Sequence, residues 1–150
     1  MLTEEDGRED PLIAYKTAKG NHARGKYNQR QIDVILEEIL PGLNGDYNKH
    51  SIGIISPYRM QTDKLKESIG TQDFEVDTVH KYQGLEKDVI ILTTVVNEIN
   101  EFVNNPNLLN VAVSRAVDKL IVVVSDSKDN DNSNIGDLVR YIVRDNFGTQ

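Results

Sequence analysis

Three segments of this 150-residue chain carry polar and charged side chains at spacings that could do chemistry. Gly20-Asn21-His22-Ala23-Arg24-Gly25-Lys26 has the G-x-x-x-x-G-K spacing of a loop that wraps phosphates in backbone N–H groups. Such a loop needs a Ser or Thr next, with its hydroxyl on Mg²⁺ close to the backbone. Tyr27 stands there instead, and a phenol at the end of a long ring cannot occupy the same place. The strand before it is poor, and no later strand ends in the Asp-Glu pair that completes a phosphate site of this kind. The segment reads as a Gly-containing connector.

The second segment runs from Asp77 to Asp88 (DTVHKYQGLEKD) and leads straight into the apolar run that follows. Polar residues and a glycine between two strands suit a ligand loop at the edge of an α/β sheet. Gly84 would let the backbone approach a phosphate, and Glu86 could accept from a ribose hydroxyl. A solvated loop accounts for the pattern equally well. His80 has no nucleophile beside it to activate. The third segment is Leu108 to Ala116 (LLNVAVSRA), where Arg115 is the single charge between Leu108 and Val117. Burying a guanidinium without a partner is costly, so it should face an anion. A carboxylate of the chain would satisfy it, and so would a phosphate presented at a domain interface.

The elements that must position these residues follow from the apolar pattern. Leu12 and its neighbours (11–16) form a short strand. Asn28 caps a helix whose apolar face is Ile32, Ile35, Leu36, Ile39 and Leu40, ended by Pro41-Gly42. Ser51 to Ser56 is a buried strand, and Pro57 opens a helix to Gly70 with Gln61, Leu65 and Ile69 stacked on one face. Phe74 to Val76 is a brief strand. Asp88 to Val96 (DVIILTTVV) is apolar on both faces, which suits the centre of a parallel sheet. A helix over Pro106 to Val117, a strand over Lys119 to Ser125, a polar loop and a closing helix marked by Ile135, Leu138, Val139 and Ile142 complete the chain. Strands separated by helices predict a doubly wound, mainly parallel α/β sheet flanked by helices.

Composition limits what such a sheet can serve. With 17 Lys+Arg against 24 Asp+Glu the formal charge is −7, and no basic stripe marks a duplex-binding face. Cysteine is absent, which removes thiol and Cys-based zinc chemistry. The three histidines, His22, His50 and His80, are dispersed, so no metal site is expected. No apolar run approaches the ~20 residues that span a bilayer, and the acidic start has no feature of a signal peptide, so no membrane association and a cytoplasmic location are expected.

Taken together, the segments resemble motifs IV, V and VI in the second RecA-like domain of superfamily 1 helicases. The branch is that of the nonsense-mediated-decay helicase and its bacterial relatives. Ile52 to Gln61 (IGIISPYRMQ) resembles motif IV, Val76 to Ile91 (VDTVHKYQGLEKDVII) motif V, and Leu109 to Ala116 (LNVAVSRA) motif VI. The resemblance implies a RecA-like fold of the P-loop NTPase type without its own P-loop. It divides the chain into a connector over 1–27 and the helicase domain over 28–150.

By position, Arg115 resembles the arginine finger that reaches the γ-phosphate of ATP held on another domain. Glu86 resembles the ribose contact, and Gln83 and Gly84 resemble the elements that link nucleotide to nucleic acid. Ser56, Pro57 and Tyr58, with Thr78, Val79 and His80, resemble segments that contact single-stranded DNA or RNA through hydroxyls and main-chain N–H groups, which an acidic net charge does not forbid. ATP and Mg²⁺ are implied as cofactors held mainly by an N-terminal RecA-like domain, and the domain alone is expected to be inactive. The other class of function open to this fold is nucleotide binding or protein interaction without helicase activity.

Overall fold

The Val- and Ile-rich runs Lys87–Thr93 and Ala116–Ser125 are apolar on alternate residues of both faces, a composition that is stable only where both faces of a sheet are covered. They lie side by side within a parallel sheet. The computed structural model describes residues 12–18, 27–43, 45–69, 74–79, 81, 86–96 and 106–125. The strands are β1 (Leu12–Thr17), β2 (Ile52–Ser56), β3 (Glu75–Thr78), β4 (Lys87–Thr93) and β5 (Ala116–Ser125), in the order β1-β5-β4-β2-β3, with every pairing parallel. The helices are α1 (Gln29–Val34), α2 (Leu40–Leu43), α3 (Arg59–Ile69) and α4 (Pro106–Arg115).

Strand alternation divides the core in two. On one face Ile54, Val89, Ile91, Ile121 and Val123 pack with Ile32, Ile35 and Ile39 and with Leu65 of α3. On the other, Ile55, Ile90, Leu92, Leu120, Val122 and Val124 pack under Leu108 and Ala112 of α4. The α3 crossover runs outward from β2 to β3, and the α4 crossover runs the opposite way, from β4 to β5. Two crossovers of one hand moving in opposite directions must place their helices on opposite faces. The sheet is therefore doubly wound, as expected, with its switch point between β4 and β2.

Local boundaries differ from the sequence pattern where tertiary bonding decides. Asn28 is the N-cap expected of it, its side chain accepting from Gln31 N–H at 3.1 Å. Pro41 does not stop the helix: Ile35–Ile39 is a π turn whose cap, Leu40, donates to Ile35 O, and the helical path continues to Leu43. Shifting the bonding from i−4 to i−5 is a way to accommodate a ring that removes a donor. The chain then turns at Gly45, whose φ of +96° suits a residue without Cβ. The helix after Pro57 begins at Arg59. The fourth helix ends at Arg115, not Val117, because Ala116 already pairs with Lys87 as the first residue of β5. The short N-terminal strand is β1, which pairs with β5 from Leu12↔Leu120 to Thr17↔Ser125.

Candidate functional site

A wholly parallel sheet has two chemically different rims. At the carboxyl rim end β2, β3 and β4, and there stand Ser56, Pro57, Tyr58, Thr78 and Val79. At the amino rim begin β4 and β5. Lys87 pairs with Ala116, so the residues just before them, Glu86 and Arg115, are neighbours at that rim. The predicted site residues that are described therefore separate into two groups, one at each end of the central strands.

Arg115 closes the last turn of α4, where a cation is favoured by the helix dipole. It is half-buried, and its Nε is buried with no hydrogen-bond partner. Among the described residues it makes no ion pair. A buried donor left unmade costs about 1–3 kcal/mol, more when charged, and native proteins keep few of them. Glu86 is exposed beside it. Val113 and Val117, two residues to either side of Arg115, are 51% and 63% exposed. A guanidinium with an unmet bond and an exposed carboxylate thus both stand at the amino rim.

At the carboxyl rim the loops are tied to one another. Ser56 is fully buried and its hydroxyl is spent on the turn that follows, accepting from Tyr58 N–H at 3.0 Å and donating to Tyr58 O at 3.1 Å. Val79 N–H donates to Ser56 O at 3.0 Å, joining the ends of β3 and β2, and Thr78 N–H donates to Asp77 Oδ1 at 2.9 Å. The main-chain N–H groups expected to meet a phosphate backbone at Tyr58, Thr78 and Val79 are thus all engaged within the protein. Beneath the rim lies a buried polar network. Gln31 Oε1 accepts from Thr93 Oγ1 at 2.7 Å and from Val95 N–H at 3.0 Å. Gln61 Oε1 accepts from Asn28 N–H at 2.8 Å while its Nε2 donates to Thr93 Oγ1 at 3.0 Å. Thr94 donates to Val123 O at 2.9 Å, and Gln31 Nε2 donates to Ser125 Oγ at 3.2 Å.

A family profile described as an AAA domain matches residues 3–127. The chain is 36% identical over 136 residues to DNA polymerase alpha-associated DNA helicase A of Saccharomyces cerevisiae, a match covering 80% of this chain and 20% of that protein. It is 29% identical over 125 residues to the DNA replication ATP-dependent helicase/nuclease dna2 of Schizosaccharomyces pombe, covering 80% of this chain and 9% of the relative. It is 28% identical over 143 residues to the DNA-binding protein SMUBP-2 of Rattus norvegicus, covering 87% and 14%. The chain belongs to the RecA-like domains of the superfamily 1 helicases. It spans a fifth or less of the length of these relatives.

Within this helicase domain, His80, Gln83, Gly84 and the Gly20–Lys26 segment lie outside the described residues. Tyr27, the residue that breaks the phosphate-loop pattern, packs against the α1–α3 core with Lys64 Nζ 5.3 Å from its ring centroid. No cluster of His, Asp and Glu among the described residues could hold a metal ion, and no described helix is long and apolar enough to cross a membrane. A cavity of about 490 Å³ opens between Leu36, Leu40, Tyr47, Ile52, Ile69 and Phe74, on the opposite face of the helicase domain from α4.

Sequence reasoning missed the roles of Gln31, Gln61 and Thr93. Their signal was present: Gln31 and Gln61 stand on core-facing positions of amphipathic helices, where an amide is tolerated only if it is fully bonded.

Proposed function

We propose that this domain is the second motor domain of an ATP-dependent DNA or RNA helicase, supplying the arginine finger and part of the single-strand track. The observation that carries the reading is the unmet, buried Nε of Arg115 on a half-open guanidinium beside Glu86. ATP and Mg²⁺ belong mainly to an N-terminal RecA-like domain, and the residues present here suit the outward side of that nucleotide. Arg115 would hold the γ-phosphate, and Glu86 the ribose hydroxyls. The chemistry the nucleotide supplies is phosphoryl transfer to water. Arg115 offsets charge that develops on the phosphoryl oxygens, a contribution of roughly 10³–10⁵ in rate for such fingers.

Val113 and Val117 offer apolar surface for the other lobe to cover when the two close. Pro57, Tyr58 and Thr78 form this domain's part of the strand track, with Ser56 acting through the turn it holds. The names of the relatives, a DNA helicase, a DNA replication helicase/nuclease and a DNA-binding protein, favour DNA as the track. Half of a two-lobed motor cannot complete a cycle of closure, so the isolated domain is inactive.

The test is Arg115→Ala in a polypeptide that joins this domain to its first RecA-like domain. The expected result is collapse of strand-stimulated ATP turnover with single-strand binding retained. Unchanged turnover overturns the reading and leaves a fold-retaining interaction domain.

A further inference from the structure

Val95 is the single non-glycine residue with positive φ among the described residues, at +73°. Val96 N–H donates to Thr94 O at 2.8 Å, closing a three-residue turn around it. This is the γ-turn of the rare, strained hand, and a β-branched side chain adds to the strain. It occurs immediately after β4, the middle strand, at the switch point where ligands of doubly wound sheets gather.

Both peptide groups of Val95 are clamped by side chains from one helix start. Its N–H donates to Gln31 Oε1 at 3.0 Å, and its carbonyl accepts from Asn28 Nδ2 at 2.6 Å. Asn28 in turn accepts from Gln31 N–H at 3.1 Å, so the two clamps hold each other. Gln61 adds a brace, linking Asn28 N–H to Thr93 Oγ1. Asn28, Gln31, Gln61, Thr93 and Val95 all have no exposed surface. Capping a helix needs one side chain; it does not need two more buried amides converging on the end of β4. Strained backbone persists only where its surroundings over-determine it.

We propose that Gln31 and Asn28 are positioning residues that hold Val95 left-handed and so fix the direction in which the chain leaves β4 beside the Ser56–Tyr58 turn. That turn is adjacent because Ile55 pairs with Leu92. The functional consequence, a correctly shaped strand-contacting rim, rests on the helicase reading above. The clamp itself does not.

A double-mutant cycle in the 150-residue chain tests it, using Gln31→Leu, Val95→Gly and the pair, read by urea midpoint and by affinity for a fluorescent oligo-dT of about 20 nucleotides at low salt. Glycine adopts the left-handed conformation without strain, so the turn survives without its clamp. The expected result is a large fall in midpoint for Gln31→Leu in the parent and a smaller one in the Val95→Gly background, where the Thr93 and Ser125 bonds of Gln31 are still lost but the strained turn no longer needs holding. Equal falls overturn the clamp. If Gln31→Leu does not fold, recovery of a cooperative transition in the pair supports the clamp, and failure of the pair moves the decision to Val95→Gly against Val95→Ala. Buried volume alone favours alanine, whereas a left-handed clamp makes the glycine variant the more stable; the reverse order overturns the proposal.

Oligo-dT affinity should fall at least about tenfold in Gln31→Leu and return in the pair. Unaltered affinity in Gln31→Leu with a non-additive cycle overturns the positioning of the strand rim. A parent chain that binds no oligonucleotide, with a non-additive cycle, defeats the strand-track reading and leaves the clamp standing.

Discussion

Glu86 and Arg115 stand next to each other at the amino rim because Lys87 and Ala116 are register partners in the β4–β5 ladder. No ion pair joins them, and Arg115 keeps a buried Nε unbonded. Two opposite charges at the same rim that do not pair with each other leave both groups able to meet a third.

The stability of Arg115 variants should therefore run against their activity. Arg115→Ala removes an unsatisfied buried donor and should leave the thermal midpoint of the domain unchanged or slightly raised, while turnover in the two-domain protein falls by roughly 10³–10⁵. Arg115→Lys keeps the charge but not the planar fork, and should recover little of that rate. Calorimetry of the domain and ATPase assay of the longer protein check the pair of outcomes. A large loss of stability in the alanine variant would mark Arg115 as a structural residue.

Ser56 gives a contrasting case, a fully buried hydroxyl spent on holding the Tyr58 turn. Ser56→Ala leaves Tyr58 N–H without that partner and should cost about 1–2 kcal/mol in urea unfolding. Because the residue is remote from Arg115, ATP turnover without nucleic acid in the two-domain protein should stay at its parent value, and single-strand affinity should weaken. A fall in unstimulated turnover with affinity intact would place the two rims' roles the other way round.

Gln61 carries a larger structural share, because two buried groups depend on it. Gln61→Leu removes the acceptor of Asn28 N–H and the donor to Thr93 Oγ1. With the Asn28 N–H losing its acceptor at about 1–3 kcal/mol and the Thr93 hydroxyl losing one of its two bonds, the loss should reach about 2–4 kcal/mol, comparable to truncating a core isoleucine such as Ile91 to alanine. Thr93→Val should deepen the deficit when combined with Gln61→Leu, since Thr93 Oγ1 still donates to Gln31 Oε1 and that bond is then lost as well. Denaturant midpoints of the single and double variants decide it.

The fold was legible because its elements announce themselves locally. The apolar runs of β4 and β5, the Asn28 cap and the Gln61-Leu65-Ile69 stripe all depend on neighbours in sequence. What escaped depends on residues far apart. A Thr-Thr-Val-Val string favours an extended β4 running on to Val96, yet Gln31, 64 positions from Val95, bends it into a γ-turn. Arg115 was legible as a lone charge on an apolar helix; that the helix ends on it was not, because pairing with β4 sets that boundary.

The amino rim also carries a titration that can be read without any ligand. Tyr47 donates to Asp118 Oδ2 and faces the buried Lys119, whose Nζ lies 6.0 Å from its ring centroid. Burial first, then the Asp118 hydrogen bond, then the charges of Asp118, Asp46 and Asp88 hold the phenol well above its ordinary value of 10.0. In the unfolded chain Tyr47 loses its proton near pH 10, while in the folded chain it keeps it. The unfolded state then binds fewer protons, so this group's contribution to stability is complete below about pH 10 and declines above it. Tyr47→Phe should be less stable than the parent at neutral pH, and its urea midpoint should fall less steeply between about pH 9 and 11. Tyr15, raised by burial and by Glu38, titrates in both proteins and cancels in the comparison. Parallel declines in the two midpoints would show that the Tyr47–Asp118 bond does not stabilise the fold.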